Sequence, residues 1–308
     1  MHILVLGATG YLGTHIAEHL RALPDARVLV GGRSPAADIG VDLAADRPQD
    51  LAAALAEVAP DAVVNCAGAT GGDAVTLAEV NARGPAVLCA ALRDAAPGAR
   101  LVHLGSAAEY GPTEAGARVT ESAATRPAGP YGATKLAGTV AVTASGLDTV
   151  VLRVGNPVGP GAPPTGLPGR VAALLAGAGD DPAATLRLGD LSAYRDFVDV
   201  RDVARAAQLA VTAAGPLPPV LNIGGGDARP VRDLVRGLAD AAGFRGRIDE
   251  AQAGGSARSA QVSWQCADIT AARHALGWSP SHTLDSSLSA LWAAVRPRAR
   301  SAEGAPAR

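Results

Sequence analysis

Apolar positions follow two periods along this chain, and the periods alternate. Short, nearly unbroken aliphatic runs fall at residues 2–6, 27–31, 62–67, 100–104 and 149–154. Runs of this length and uniformity predict strands buried on both faces. Between them, at 11–23, 48–58, 73–96 and 131–145, the apolar residues keep a helical spacing, which predicts helices. Gly84-Pro85 lies inside the third of these, where a residue without an amide N–H should kink or split the helix. Strands alternating with helices predict an α/β fold whose parallel sheet is covered on both faces. The alternation stops at Asn156. Residues 157–169 are rich in proline and glycine, and later elements are scattered. The expected organisation is a cofactor-binding domain at 1–156 and a smaller C-terminal α/β part at 157–295, mainly substrate-binding, with segments returning to the main domain. Residues 296–308 read as a disordered tail.

Composition narrows the class. The 308 residues are 48% hydrophobic and 18% charged, enough for one large domain or two coupled ones. A formal net charge of −2 supplies no field that favours nucleic acid or an anionic membrane. No apolar run approaches the ~20 residues that cross a bilayer, and Met1-His2 leads into the first strand with no basic leader. Cys66, Cys89 and Cys266 are scattered and odd in number, which suits a reduced cytoplasmic protein and matches no zinc spacing.

A glycine-rich turn joins the first strand to the first helix: Gly7-Ala8-Thr9-Gly10-Tyr11-Leu12-Gly13. Glycine lets backbone approach a pyrophosphate, and a helix start offers free N–H groups and the positive end of a dipole. Gly7, Thr9, Gly10, Tyr11, Leu12 and Gly13 are therefore expected at a dinucleotide, in a Rossmann doubly wound parallel sheet. The second strand runs out into Gly31-Gly32-Arg33-Ser34. NAD-dependent proteins usually place Asp or Glu there for the ribose hydroxyls. Arg33 can instead pair with a 2′-phosphate, and Ser34 can hydrogen-bond to it. Asp42-Leu43 is placed to reach the adenine amino group. NADP(H) is the expected cofactor.

Tyr131 and Lys135 stand in Pro130-Tyr131-Gly132-Ala133-Thr134-Lys135. On a helix this spacing puts both on one face, about a turn apart. An ammonium so placed can make a phenol a usable acid or base near neutral pH. Ser106 and Tyr110-Gly111 lie between the glycine turn and this pair.

In this order the motifs resemble the extended short-chain dehydrogenase/reductase family, in the branch acting on nucleotide-linked sugars. The likeness covers nearly all of residues 1–295. It rests also on Asn65-Cys66-Ala67-Gly68, Asn81, Gly105-Ser106-Ala107-Ala108-Glu109, Arg153-Val154-Gly155-Asn156, Tyr194-Arg195-Asp196-Phe197 and Leu276-Gly277-Trp278. The resemblance implies that Ser106 hydrogen-bonds the reacting oxygen, Tyr131 transfers the proton, and Lys135 holds the ribose and tunes the tyrosine. It implies Ala67, Gly68, Asn81 and Val154 at the cofactor. It places Asn156, Arg195 and Arg258 at the substrate, with Asn156 and Arg195 on the sugar diphosphate; Glu109, where the family commonly has an apolar residue, is also expected to face the substrate.

Two departures bear on the reaction. Sugar-nucleotide dehydratases carry an acidic residue or pair directly after the catalytic hydroxyl residue, where this chain has Ala107 and Ala108. Ser259 and Gln261 replace the proline and acid that often follow the Arg258 position. The run 109–111, the segment 159–163 and the run 195–200 look most like GDP-4-keto-6-deoxymannose reductases and related 4-ketoreductases. The expected function is NADPH-dependent reduction of a nucleotide-activated 4-keto-6-deoxysugar. The alternatives are a nucleotide-sugar 4-epimerase that retains NAD and a non-catalytic dinucleotide-binding regulatory protein. A homodimer is expected through the helices at 73–96 and 131–145.

Overall fold

The computed structural model describes residues 1–251 and 262–296. Arg258, Ser259, Gln261 and the tail at 297–308 lie outside the described residues. The strands, in chain order, are β1 (His2–Leu6), β2 (Arg27–Gly32), β3 (Ile39–Gly40), β4 (Ala62–Asn65), β5 (Arg100–Ser106), β6 (Thr149–Val154), β7 (Asn156–Val158), β8 (Thr185–Leu188), β9 (Tyr194–Asp199), β10 (Val220–Ile223), β11 (Ala228–Pro230) and β12 (Arg247–Glu250). Seven of them form one all-parallel sheet in the order β10-β6-β5-β4-β1-β2-β3. The order changes direction between β1 and β4, and such a switch point opens a crevice at the carboxyl ends of the strands.

The helices are α1 (Tyr11–Arg21), α2 (Pro48–Val58), α3 (Ala74–Ala78), α4 (Gly84–Ala95), α5 (Pro130–Thr143), α6 (Leu167–Ala178), α7 (Val200–Thr212), α8 (Val231–Ala242), α9 (Thr270–Leu276) and α10 (Leu284–Val295). On one face of the sheet, Ile16 and Leu20 of α1 and Val203 and Ala207 of α7 pack with Ile3, Val5 and Val102. On the other, Leu55 of α2, Leu88 of α4 and Val142 of α5 pack with Leu4, Val63 and Leu101. Alternate residues of one strand thus enter two different cores, which is why the runs are apolar at every position. A third core joins α6, α8 and α10 beyond residue 157. The result is the doubly wound Rossmann-like α/β arrangement. Among the described residues, no helix is long and apolar enough to cross a membrane.

The expected break in the helix at 73–96 takes a specific form. Asp73 caps α3 by accepting from Thr76 N at 2.8 Å. A π turn then spans Glu79–Arg83, and α4 begins at Gly84 with Pro85 in its first turn. Pro85 has no N–H to return to the carbonyl four residues earlier, so the slack is taken up in the preceding wide turn.

Candidate active site

The glycine turn is built by close approach. Gly7 has φ +76°, and a Cβ there would lie 2.6 Å from Ala67 N. A Cβ on Gly13 would overlap the Gly7 carbonyl. Gly10 is the N-cap of α1, and no side chain caps the helix. Its first-turn N–H groups are therefore left for a ligand.

A cavity of about 230 Å³ opens beside the turn. Gly7, Thr9 and Gly10 line one side, Arg33 and Ser34 another, and Asp42, Leu43, Ala67 and Gly68 the rest. A bare backbone cradle, a guanidinium and a hydroxyl around one cleft fit a dinucleotide. Cys66, from the run 65–68, also lines it, as do Ala44 and Val80, which carried no sequence signal. Arg83, in the π turn, fastens the wall by donating to the carbonyls of Leu43 at 3.1 Å, Ala44 at 2.9 Å and Asp46 at 2.7 Å.

Other expected cofactor contacts sit off this wall. Tyr11 donates its hydroxyl to Gly159 O at 3.3 Å, with its ring edge-on to His15. Burial pushes its phenol above the usual range, so it stays neutral and ties α1 to the 157–169 segment. Leu12 packs against the core. Val154 is buried at the end of β6, in register with Ser106. Asn81, expected at the cofactor, is instead a buried clamp. Its amide donates to Ala69 O at 2.8 Å and Thr134 Oγ at 3.3 Å, and its oxygen accepts from Ala69 N at 2.9 Å. Both of its amide donors and one lone pair of its oxygen serve the loop after β4 and α5.

Ser106 and the helix that carries Tyr131 and Lys135 meet at the carboxyl end of β5. Ser106 is its last residue, and a single 3₁₀ turn, Ala107–Glu109, follows. Ser106 Oγ accepts from Ala108 N at 3.2 Å, and Ser106 N donates to Glu109 Oε1 at 2.8 Å. A Cβ on Gly132 would lie 2.5 Å from Ala108 O, so glycine after Tyr131 lets the first turn of α5 close on that 3₁₀ turn. One helical turn on, Lys135 is buried and donates from Nζ to Leu104 O at 2.5 Å. A Cβ on Gly68 would lie 3.9 Å from that Nζ, so the ammonium stands just behind the cavity wall. Burial pushes Lys135 down to about 8. It is also the only lysine in the chain.

Glu109 was expected to face the substrate, and the structure corrects this. Its second oxygen pairs with Arg153 Nε at 2.7 Å, with side-chain exposures of 0% and 5%. The Arg153 guanidinium also lies over the Tyr110 ring, 4.6 Å from its centroid. A carboxylate stripped of water needs a cation and donors, and here both come from the protein. Glu109 is the brace that sets Ser106.

On the far side of β5, β7 continues from β6 and pairs with β9. Asn156 donates to Asp196 O at 3.2 Å and Gln265 Oε1 at 2.8 Å. Arg195 is buried on β9 and donates to Tyr194 O at 2.7 Å. Both therefore lie in this small sheet next to the end of β6. Arg258 falls outside the described residues.

Comparison with known proteins gives consistent matches. The model of the NAD dependent epimerase/dehydratase family matches residues 3–224. The chain is 37% identical to dTDP-6-deoxy-L-talose 4-dehydrogenase (NAD(P)(+)) of Kitasatospora kifunensis over 303 residues, 95% of each chain. It is 27% identical to GDP-6-deoxy-D-mannose reductase of Pseudomonas aeruginosa, over 97% of this chain and 98% of the relative. Among solved structures, RMD from Pseudomonas aeruginosa complexed with NADPH superposes with a TM-score of 0.81 at 26% identity, over 95% of this chain and 98% of that one.

Proposed function

We propose that this chain, which belongs to the NAD dependent epimerase/dehydratase family, reduces C4 of a nucleotide-activated 4-keto-6-deoxysugar with NADPH. The observation that carries the reading is its likeness, over nearly the whole of both chains, to a nucleotide-sugar 4-dehydrogenase. That relative acts on a dTDP sugar, so a thymidine diphosphate substrate is favoured over the GDP sugar suggested by sequence motifs. Arg33 and Ser34 on the cavity wall favour the phosphorylated cofactor.

On this proposal each residue has a role. The uncapped start of α1 holds the pyrophosphate, Arg33 and Ser34 the 2′-phosphate, and Asp42 and Leu43 border the adenine. Lys135, behind Gly68, reaches the ribose. The nicotinamide, when bound, supplies the hydride. As a ketone is reduced, its oxygen gains negative charge, and fixed hydroxyl donors stabilise it. Ser106 donates to that oxygen, and Tyr131 passes its proton to it. The Lys135 ammonium lowers the cost of the phenolate left behind. Ala107 and Ala108 provide no acid or base for eliminating water from the ring. Asn156 and Arg195 hold the diphosphate at the inner edge of the 157–295 part.

The test is stoichiometry with a dTDP-4-keto-6-deoxyhexose. A reductase oxidises one NADPH for each 4-hydroxy product. A new epimer without net NADPH oxidation would make the protein an epimerase. Tight NADPH binding with no turnover on any 4-keto sugar nucleotide would make it a regulatory binder.

A further inference from the structure

Beneath Lys135 the sheet carries polar groups that none of these roles uses. His103, inside β5, is fully buried, and neither ring nitrogen has a hydrogen-bond partner among the described residues. Asn65, its register neighbour on β4, is equally buried, and its Nδ2 is likewise without a partner. Its Oδ1 is occupied by Ala67 N at 3.1 Å. Thr139, one helical turn beyond Lys135 on α5, is buried with an unpartnered Oγ.

These groups share one face of the sheet. Val63 and Leu101, two residues before Asn65 and His103, pack in the core that contains α4 and α5. α5 runs back along β5: Lys135 Nζ meets Leu104 O, and Val142 packs with Leu101 and Val151. Thr139 lies between those two contacts along α5, on the helix face that carries Lys135 and Val142. Burial and the nearby ammonium push the His103 ring well below the usual histidine range. A neutral ring offers one donor and one acceptor. Buried polar atoms that lack protein partners commonly hold ordered water, which needs two to four polar neighbours.

We propose that His103, with Asn65 and Thr139, is a positioning residue for Lys135: the three hold buried water beneath the ammonium and keep it solvated from below. Other groups around Lys135 are Glu109, which favours the ammonium but is engaged by Arg153, the Cys66 thiol, pushed up to about 12 by burial, and Tyr131 on the same helix. The consequence for turnover rests on the proposed reaction; the solvation itself is a property of the free protein.

Because Lys135 is the only lysine, protein labelled with ¹³C,¹⁵N-lysine gives one lysine side-chain signal. Its titration can be followed without cofactor or substrate. His103→Leu keeps similar volume and removes the polar ring, so the midpoint should fall by about one pH unit, a tenfold loss of proton affinity. Thr139→Val should lower it by a smaller step. His103→Gln keeps a donor and an acceptor and should titrate near the wild type. An unchanged midpoint in His103→Leu, or an equal fall in His103→Gln, overturns the proposal. If His103→Leu does not fold, an unchanged midpoint in Thr139→Val overturns it instead. A shifted lysine midpoint in a protein that turns over no 4-keto sugar nucleotide supports the proposal and rejects the reaction.

Discussion

Stability and activity should separate at the buried pair of Glu109 and Arg153. The pair is 2.7 Å apart with side-chain exposures of 0% and 5%. Glu109→Gln leaves the Arg153 guanidinium without a counter-charge where water does not reach, which costs about 3–5 kcal/mol. At roughly 2 °C per kcal/mol for a chain of this size, Tm should fall by about 6–10 °C. Ser106 N and Arg153 Nε are served by different carboxylate oxygens; glutamine replaces one of these by an NH2 donor, so one of the two loses its partner. The Ser106 turn then shifts, and misplacement of a catalytic group by about 1 Å costs on the order of 100-fold in kcat. The double variant Glu109→Met, Arg153→Met replaces both charges by apolar groups. It should recover most of the lost stability, because buried pairs are often neutral against well-packed apolar replacements. It should not recover activity, because Ser106 N still lacks its acceptor. Scanning calorimetry at pH 7 and steady-state NADPH oxidation read the two effects. A Glu109→Gln protein that unfolds within 2 °C of wild type would refute the brace. A double variant that regains kcat together with Tm would show that Ser106 is placed by something else.

Tyr131→Phe should fold, bind NADPH and lose about 10²–10⁴-fold in kcat; stopped-flow rates equal to wild type across the pH range would reject the proton transfer. Arg33→Ala should weaken NADPH by about ten- to a hundredfold and NADH little, and equal losses in fluorescence titrations would reject its contact with the 2′-phosphate. Burial alone would raise Asp202, but hydrogen bonds from Ser281, Arg205 and His282 N outweigh it and hold the carboxyl at about 2. Its folded pKa lies below the unfolded value of about 3.9, so its contribution is present above that pH and is lost as pH falls through the folded pKa. Asp202→Asn should therefore flatten the acid limb of urea stability between pH 5 and 2, and an equally steep limb would reject this. Val75 on α3 and Val140 on α5 are 64% and 55% exposed, and a homodimer through these helices should become monomeric in Val140→Asp. A wild-type monomer at micromolar concentration in sedimentation would remove the dimer.

What the sequence revealed follows from the range of the forces involved. β1 was legible because Ile3 and Val5 enter one core while Leu4 enters another, so every position must be apolar. The glycine turn was legible because Gly7 and Gly13 are forced by contacts local to one strand–helix junction and the loop beside it. Tyr131 and Lys135 were legible because helical spacing alone sets their common face. The break before Pro85 was legible as a missing N–H. Its shape was not, because the π turn also has to place Arg83 on the carbonyls of residues 43, 44 and 46. Glu109 was misread for the same reason. A carboxylate three residues after Ser106 looks alike in sequence whether it faces a sugar or Arg153, and Arg153 comes from the next strand of the sheet. Asn81 was drawn to Ala69 and Thr134 by a packing no local pattern encodes. His103 reads as one polar residue in an apolar strand. Its meaning depends on which ammonium α5 lays above it, and that is decided by how Gly132 and Gly138 let the helix approach its neighbours. The groups capable of chemistry can therefore be picked from spacing, but burial and a distant partner decide which of them act on a ligand and which hold the others in place.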